Sequence, residues 1–340
     1  MHDDEGGPLA GTSGATLVLG VPVDDVTMGE AVDIVFQLAR DGQRRSRTHQ
    51  VATVNVDFVV NAHDDDVLMD ILAATSLSIP DGMPVVWASR LMGTPLRARV
   101  SGADLVPAIV QRAAPEGATI VLYGAGPGIA RRAAEVLRER TPRATVVGLD
   151  APAFSDPAEL DERDLAPLRE ARATVCCVAF GNPKQERFIA HWAPHLGIPV
   201  MIGVGGSLDF IAGAKRRAPQ WMQRSGLEWL HRAITEPRRL ARRYARDLVV
   251  FGPAVLRQAW RGRRGVRRGR LTTATTPDGG LVVDLSELVT ADNRTAAAIT
   301  SAVRTARRSG RPVELRGATA RAVAPVTGLE RVVALAAGSR

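Results

Sequence analysis

The chain has 340 residues, 45% of them hydrophobic and 24% charged, which is long enough for two domains or for one large domain with an appendix and is the composition of a soluble globular protein. No apolar run approaches the roughly 20 residues that cross a bilayer, so any membrane attachment is expected to be peripheral. The formal net charge of +8 is uneven: residues 215–270 hold seventeen Lys/Arg against three acids (Glu228, Glu236 and Asp247), a net +14 that leaves −6 for the remainder. Such a footprint suits an anionic membrane surface or nucleic acid.

Residues 1–14 are acidic and Gly-rich, lack the basic and apolar regions of a signal peptide, and read as a disordered tail. From 15 to 214, short apolar runs alternate with amphipathic segments. Strands are expected at "TLVLGV", "HQVATVN", "ATIVLYGA", "ATVVGLD", "TVCCVAF" and "PVMIGVG", and helices at "TMGEAVDIVFQLARDG", "GADLVPAIVQRAA", "GIARRAAEVLRERT" and "KQERFIAHWAPHL". The alternation predicts an α/β unit with a parallel sheet and right-handed crossovers, whose ligands bind beyond the carboxyl ends of the strands. Cys176 and Cys177 fall in a strand and point to opposite faces, as packing residues of a reduced, cytoplasmic protein.

Several strand ends carry polar residues. "VATVNVDF" (51–58) presents Thr53, Asn55 and Asp57 in alternation, to cap the next helix or to hydrogen-bond a sugar or nucleotide. The acids of "HDDDVL" (63–68) lie between helical segments and read as caps ahead of a divalent-cation site. Asp81, in "SIPDGMPVVW", occupies a turn among apolar residues, where it is either a plain turn aspartate or a carboxylate made basic by desolvation and suited to general-base work. "YGAGPGIA" imitates a dinucleotide fingerprint through Gly124, Gly126 and a later Asp150, but Ile129 holds the third glycine position. It is expected to contact a diphosphate or to form a structural turn. In "GNPKQE", Pro183 suits a first helical turn, Lys184 and Gln185 offer donors to a cleft, and Glu186 serves the helix start. No Ser/His/Asp order has convincing spacing, and the six histidines form no metal pattern.

Past residue 214 the pattern changes. Residues 215–252 read as a basic helical appendage, with Trp221, Trp229 and Tyr244 interleaved with Arg224, Arg232, Arg238, Arg239, Arg242 and Arg243. An Arg/Gly-rich linker is expected at 253–273, and a separate small α/β unit at 274–340 with strands "LVVDLS" and "RPVELRG" and helices "TAAAITSAVRTARRSG" and "ATARAVAPV".

Together, "TVNVD", "PDGMPVVWASR", "RVSGADL", "GNPKQE", "GVGGSLDFIAGAKRRAPQW" and "GLEWLHRAITEPRRLARRY" resemble the WecG/TagA/CpsF family of bacterial glycosyltransferases over about residues 16–250. The resemblance implies a Rossmann-like catalytic domain and an inverting, metal-independent transfer from a UDP-sugar to a polyprenyl-diphosphate-linked sugar. That reaction would take place at the inner face of the cell membrane, in cell-wall or exopolysaccharide synthesis. It implies Asp81 as the base, with Thr53, Asn55, Arg99, Ser101, Gly102, Asp104, Gln185 and Asp209 on pocket motifs. It also implies a membrane-docking appendage whose arginines, among them Arg217, complete the site, and frequent self-association. No cofactor or metal is expected, and nucleic acid is the disfavoured partner. The last unit resembles a STAS domain in the order of its elements, with Asn293 where a phosphoacceptor serine usually follows the aspartate. A protein partner of that unit is expected. The alternatives are another nucleotide-binding α/β enzyme and a non-catalytic regulator acting through the STAS-like unit.

Overall fold

A computed structural model describes residues 14–224, 227–235, 237–264, 272–276, 280–286, 288, 291–317 and 328–337. Residues 1–13 of the expected tail, 265–271 of the linker expected over 253–273, and the expected helix over 318–326 lie outside the described residues. The first apolar run is not a strand of the main sheet. It folds back as an antiparallel hairpin of β1 (Ala15–Val18) and β2 (Val21–Asp24), with Val18 opposite Val21. Leu19 (φ 49°) and Gly20 (φ 94°) both take positive φ, the pattern of a tight two-residue hairpin loop, so the chain reverses inside what reads as one apolar run.

The main sheet has six strands: β3 (His49–Val54), β4 (Leu77–Pro80), β5 (Thr119–Gly124), β6 (Thr145–Leu149), β7 (Val175–Ala179) and β8 (Val200–Gly203). Their order is β4-β3-β8-β7-β5-β6, every pair is parallel, and the arrangement is Rossmann-like. On one face Val51, Ile79, Leu122, Cys177 and Ile202 pack under α1 (Met28–Arg45), α5 (Gly102–Glu116) and α6 (Ile129–Arg140). On the other, Val121, Tyr123, Cys176 and Met201 meet Phe188, Ile189 and Trp192 of α8 (Lys184–Leu196). The two cysteines are free, buried and on opposite faces, as strand alternation requires.

The remaining helices of this part are α2 (Val56–His63), α3 (Asp66–Ala74), α4 (Met83–Leu91), α7 (Ala166–Glu170) and α9 (Ser207–Ile211). Sequence-local signals set their ends: Thr27 and Glu30 form a reciprocal cap at the start of α1, and Gly117 and Gly197 close α5 and α8 in the left-handed region. Register matters most at β3 and β4. Val54 pairs with Pro80, so the residues that leave these strands, Asn55 and Asp81, emerge side by side.

Three further helices follow, α10 (Gln220–Arg224), α11 (Glu228–Thr235) and α12 (Pro237–Arg264). The boundary expected at residue 253 is absent, because α12 continues unbroken to Arg264. Phe251, Val255 and Ala259, at i, i+4 and i+8, are buried against Phe58, Val85 and Val86, and this apolar period carries the helix through Pro253. The C-terminal unit has β9 (Thr272–Thr275), β10 (Leu281–Asp284), α13 (Asn293–Arg308), β11 (Val313–Arg316) and α14 (Leu329–Ala337), with strand order β11-β10-β9. Its core of Val283, Leu285, Ile299, Val303 and Leu329 takes in Leu17 of β1, so the hairpin joins this unit to the main body.

Candidate active site

A cavity of about 210 Å³ opens at the carboxyl ends of β3 and β4. Asn55, Asp57 and Asp81 line its floor, Arg99 and Ser101 one wall, and residues of α11 and α12 the roof. Asp81 is held at both ends: its amide donates to Val54 O (2.8 Å), and its Oδ1 accepts from the amide of Gly102 (3.0 Å), the first residue of α5. A helix N-terminus thereby orients the carboxylate through one of its unpaired amides. Gly102 also lets the start of α5 pack closely on α9, since a Cβ there would lie 2.7 Å from Ser207 Oγ. Asn55 caps α2 through its side chain, with Phe58 N donating to Oδ1 (3.4 Å), and still lines the cavity. Asp64 and Asp65 are engaged as caps and pairs are, Asp65 accepting from Leu68 N (3.0 Å) and Asp64 pairing with Arg246 (2.9 Å).

Behind the wall is an ion network. Arg99 Nη1 lies 3.0 Å from Glu228 Oε2, and Arg217 makes a two-pronged contact with Asp104, at 2.5 and 2.7 Å. Arg217 Nε stands 3.5 Å from Glu228 Oε1, close enough for charge pairing but without a hydrogen bond. The hydrogen bonds from Arg217 hold the Asp104 carboxyl below its usual range, and Asp104 in turn raises the Arg217 guanidinium. Asp104 and Arg217 thus do not line the cavity; they brace Arg99 and Ser101, which do.

Other expected binding residues lie elsewhere. Thr53 is buried and donates to Gly203 O (2.7 Å), tying β3 to β8. Gln185 is also buried: its Oε1 accepts from Gly181 N (3.1 Å) and Gly205 N (3.0 Å), joining the turns after β7 and β8, while its Nε2 donates to Glu186 Oε1 (2.8 Å). Burial pushes the Glu186 carboxyl up to about 7, against the donors Gln185 and Asn182 that favour its charged form. Lys184 Nζ donates to Phe154 O and sits 3.7 Å from the centre of the Phe154 ring. Gly124 (φ 92°) makes room for the Phe180 ring, which a Cβ would approach to 2.3 Å. In the loop of Gly126, the amide of Gly128 donates to Asp150 Oδ1 (3.1 Å), and Asp150 Oδ2 pairs with Arg131. Asp209 sits in the first turn of α9 and does not line the cavity.

Of the appendage, Trp229 lines the cavity and Trp221 is 63% exposed. The side chains of Arg232, Arg238, Arg239, Arg242, Arg243 and Tyr244 lie outside the described residues. Sequence reasoning missed the carboxylates of the roof. Glu228 and Asp247 are both 5% exposed and line the cavity with Leu248, Phe251 and Gly252. One signal was available: two of the three acids in the +14 tract are these two residues. Among the described residues no group of three or more His, Cys, Asp or Glu could hold a metal ion, and no helix is long and apolar enough to cross a membrane.

The sequence model of the glycosyl transferase WecG/TagA/CpsF family matches residues 16–265. Over 194 residues the chain is 33% identical to an N-acetylglucosaminyldiphosphoundecaprenol N-acetyl-beta-D-mannosaminyltransferase of Bacillus subtilis (strain 168), covering 56% of this chain and 73% of that protein. An enzyme of the same name from Bacillus spizizenii is 30% identical over 193 residues, with the same coverage.

Proposed function

The chain belongs to the WecG/TagA/CpsF family of glycosyltransferases, and from that premise we propose that it moves an N-acetylmannosamine-type sugar from a UDP-sugar to a polyprenyl-diphosphate-linked N-acetylglucosamine. The observation that carries this reading is the position of Asp81, a carboxylate oriented by the start of α5 in a cavity that Arg99 enters from the side. In the proposed step the acceptor hydroxyl oxygen attacks the anomeric carbon, its proton passes to Asp81, and the bond to UDP breaks with its electron pair leaving on the diphosphate. Arg99, braced by Glu228, supplies charge to the departing diphosphate without a metal ion. Inversion at the anomeric carbon follows from a single displacement.

The same cavity supports a lipid-linked acceptor. Its rim residues Trp229 and Leu248 are exposed (39% and 75%) and continue into Val249, Leu256 and Trp260 of α12, exposed apolar residues spaced i, i+7 and i+11 on one helical face. We read this face as resting on the inner leaflet, so that the acceptor's sugar enters the cavity while its lipid stays in the membrane. The C-terminal unit, joined through the β1–β2 hairpin, is read as a STAS-like docking or regulatory module; Asn293 there is buried and donates to Met92 O (3.2 Å).

Asp81→Asn tests the central claim, because the amide keeps Oδ1 to accept from Gly102 but cannot take a proton. Turnover with UDP-N-acetylmannosamine and a lipid-diphosphate acceptor is expected to fall by roughly 10² or more with the melting temperature unchanged. Near-normal turnover would remove Asp81 from the role of base.

A further inference from the structure

A second cavity, of about 70 Å³, lies at the opposite end of the strands from Asp81, where β3 and β4 begin and α13 packs against them. Arg47, Arg304, Arg307 and Arg308 line it together with His49 and Ser76, and no acidic side chain is among the described lining residues. The carboxylates Asp24 and Asp41 stand behind these arginines. Asp24 is fully buried and pairs with Arg304 (2.7 Å) and Arg308 (2.8 Å); Asp41 pairs with Arg47 (2.7 Å). Burial alone would raise the Asp24 carboxyl, but the two guanidiniums hold it far below the usual range. At Arg307 burial and the neighbouring Arg304 and Arg47 work against the positive charge.

Arg304 is not fully satisfied by its pair with Asp24. The Arg304 side chain is only 4% exposed, and its Nε and Nη2 reach Asp24 (3.1 and 2.7 Å) and Ser78 Oγ (3.2 Å). Its Nη1 is buried with no hydrogen-bond partner. Arg47 is already engaged, its Nη2 2.7 Å from Asp41 Oδ2 and its Nε donating to the same oxygen (2.9 Å). A buried charged donor without a hydrogen-bond partner is costly, and a cavity lined by guanidiniums, with its carboxylates set outside the lining, has the chemistry that binds tetrahedral oxyanions. At about 70 Å³ this cavity is a third of the volume of the Asp81 cavity, and it has room for one such oxyanion.

We propose that this junction between the sheet and α13 binds a phosphoryl group, as free inorganic phosphate or as the terminal group of a small phosphomonoester. Bound there, the anion bridges Arg47 of the main body and Arg304 and Arg307 of the C-terminal unit, and so strengthens the docking of that unit.

The test is calorimetric titration of the full chain with inorganic phosphate and with glycerol phosphate, at ionic strength matched with chloride. Wild type and Arg99→Gln, which alters the other cavity, are expected to bind; Arg307→Gln is expected to bind about 10-fold more weakly or worse. The tighter of the two probes identifies the source of the phosphoryl group. Absence of binding by wild type, equal affinity in folded Arg307→Gln, or loss of binding in Arg99→Gln each overturns the proposal. If Arg307→Gln does not fold, Arg47→Gln takes its place with the same expected loss.

Discussion

One carbonyl oxygen of Gln185 holds the amides of Gly181 and Gly205, on two different turns. Gln185→Ala would leave both donors without that acceptor, and is expected to cost about 1–3 kcal/mol of stability, read as a drop of several degrees in melting temperature. A variant that melts with wild type would show that the amide is not holding the turns. The motif "GNPKQE" was legible as special, but its orientation was not. A helix start can turn its polar residues to a cleft or to the sheet, and here β8 decides. Gly203 leaves space into which Gln185 Nε2 packs, 2.5 Å from where a Cβ would be. Asp81 is the converse case. Its turn was legible from "PDG", and the geometry added the α5 amide that orients it.

Helix α12 serves as both roof and strut. Beyond its contribution to the cavity, Gln258 donates from Nε2 to Leu17 O and accepts at Oε1 from Leu19 N, each at 2.9 Å, across more than two hundred residues of sequence. Gln258→Ala removes both bonds at a buried site. It is expected to destabilise the fold by about 1–3 kcal/mol, measurable in urea as a lower midpoint with an unchanged slope. No local pattern marks Gln258 or the hairpin it seals. A run such as "TLVLGV" satisfies one strand or two, and the choice rests on Gly20 adopting positive φ with α12 covering the result. By contrast five of the six strands of the main sheet were legible, because strands covered on both faces must be continuously apolar. The exception is β4 (Leu77–Pro80), an edge strand whose four residues are too short a run to mark it.

At the scale of the molecule, the carboxyl ends of β3 and β4, the basic helices and an exposed apolar face lie together on one side. Ile234, Val249 and Leu256 are exposed, so replacing all three with Ser is expected to change stability little. Flotation with anionic vesicles, however, should be lost or strongly reduced in that variant, and weakened by salt in wild type. Binding to duplex DNA but not to vesicles at matched salt would count against the membrane reading. The sequence by itself determined the α/β class, the parallel sheet, the basic tract and the turns carrying Asn55 and Asp81, because each depends on short-range periodicity, turn chemistry or charge. Only the tertiary structure decided that Glu228 and Asp247 roof the cavity, that Thr53 and Gln185 face inward, and that the C-terminal unit docks through β1. Those outcomes are contacts between residues far apart in the chain, fixed by strand register and by which helix covers which face, and no local pattern encodes them.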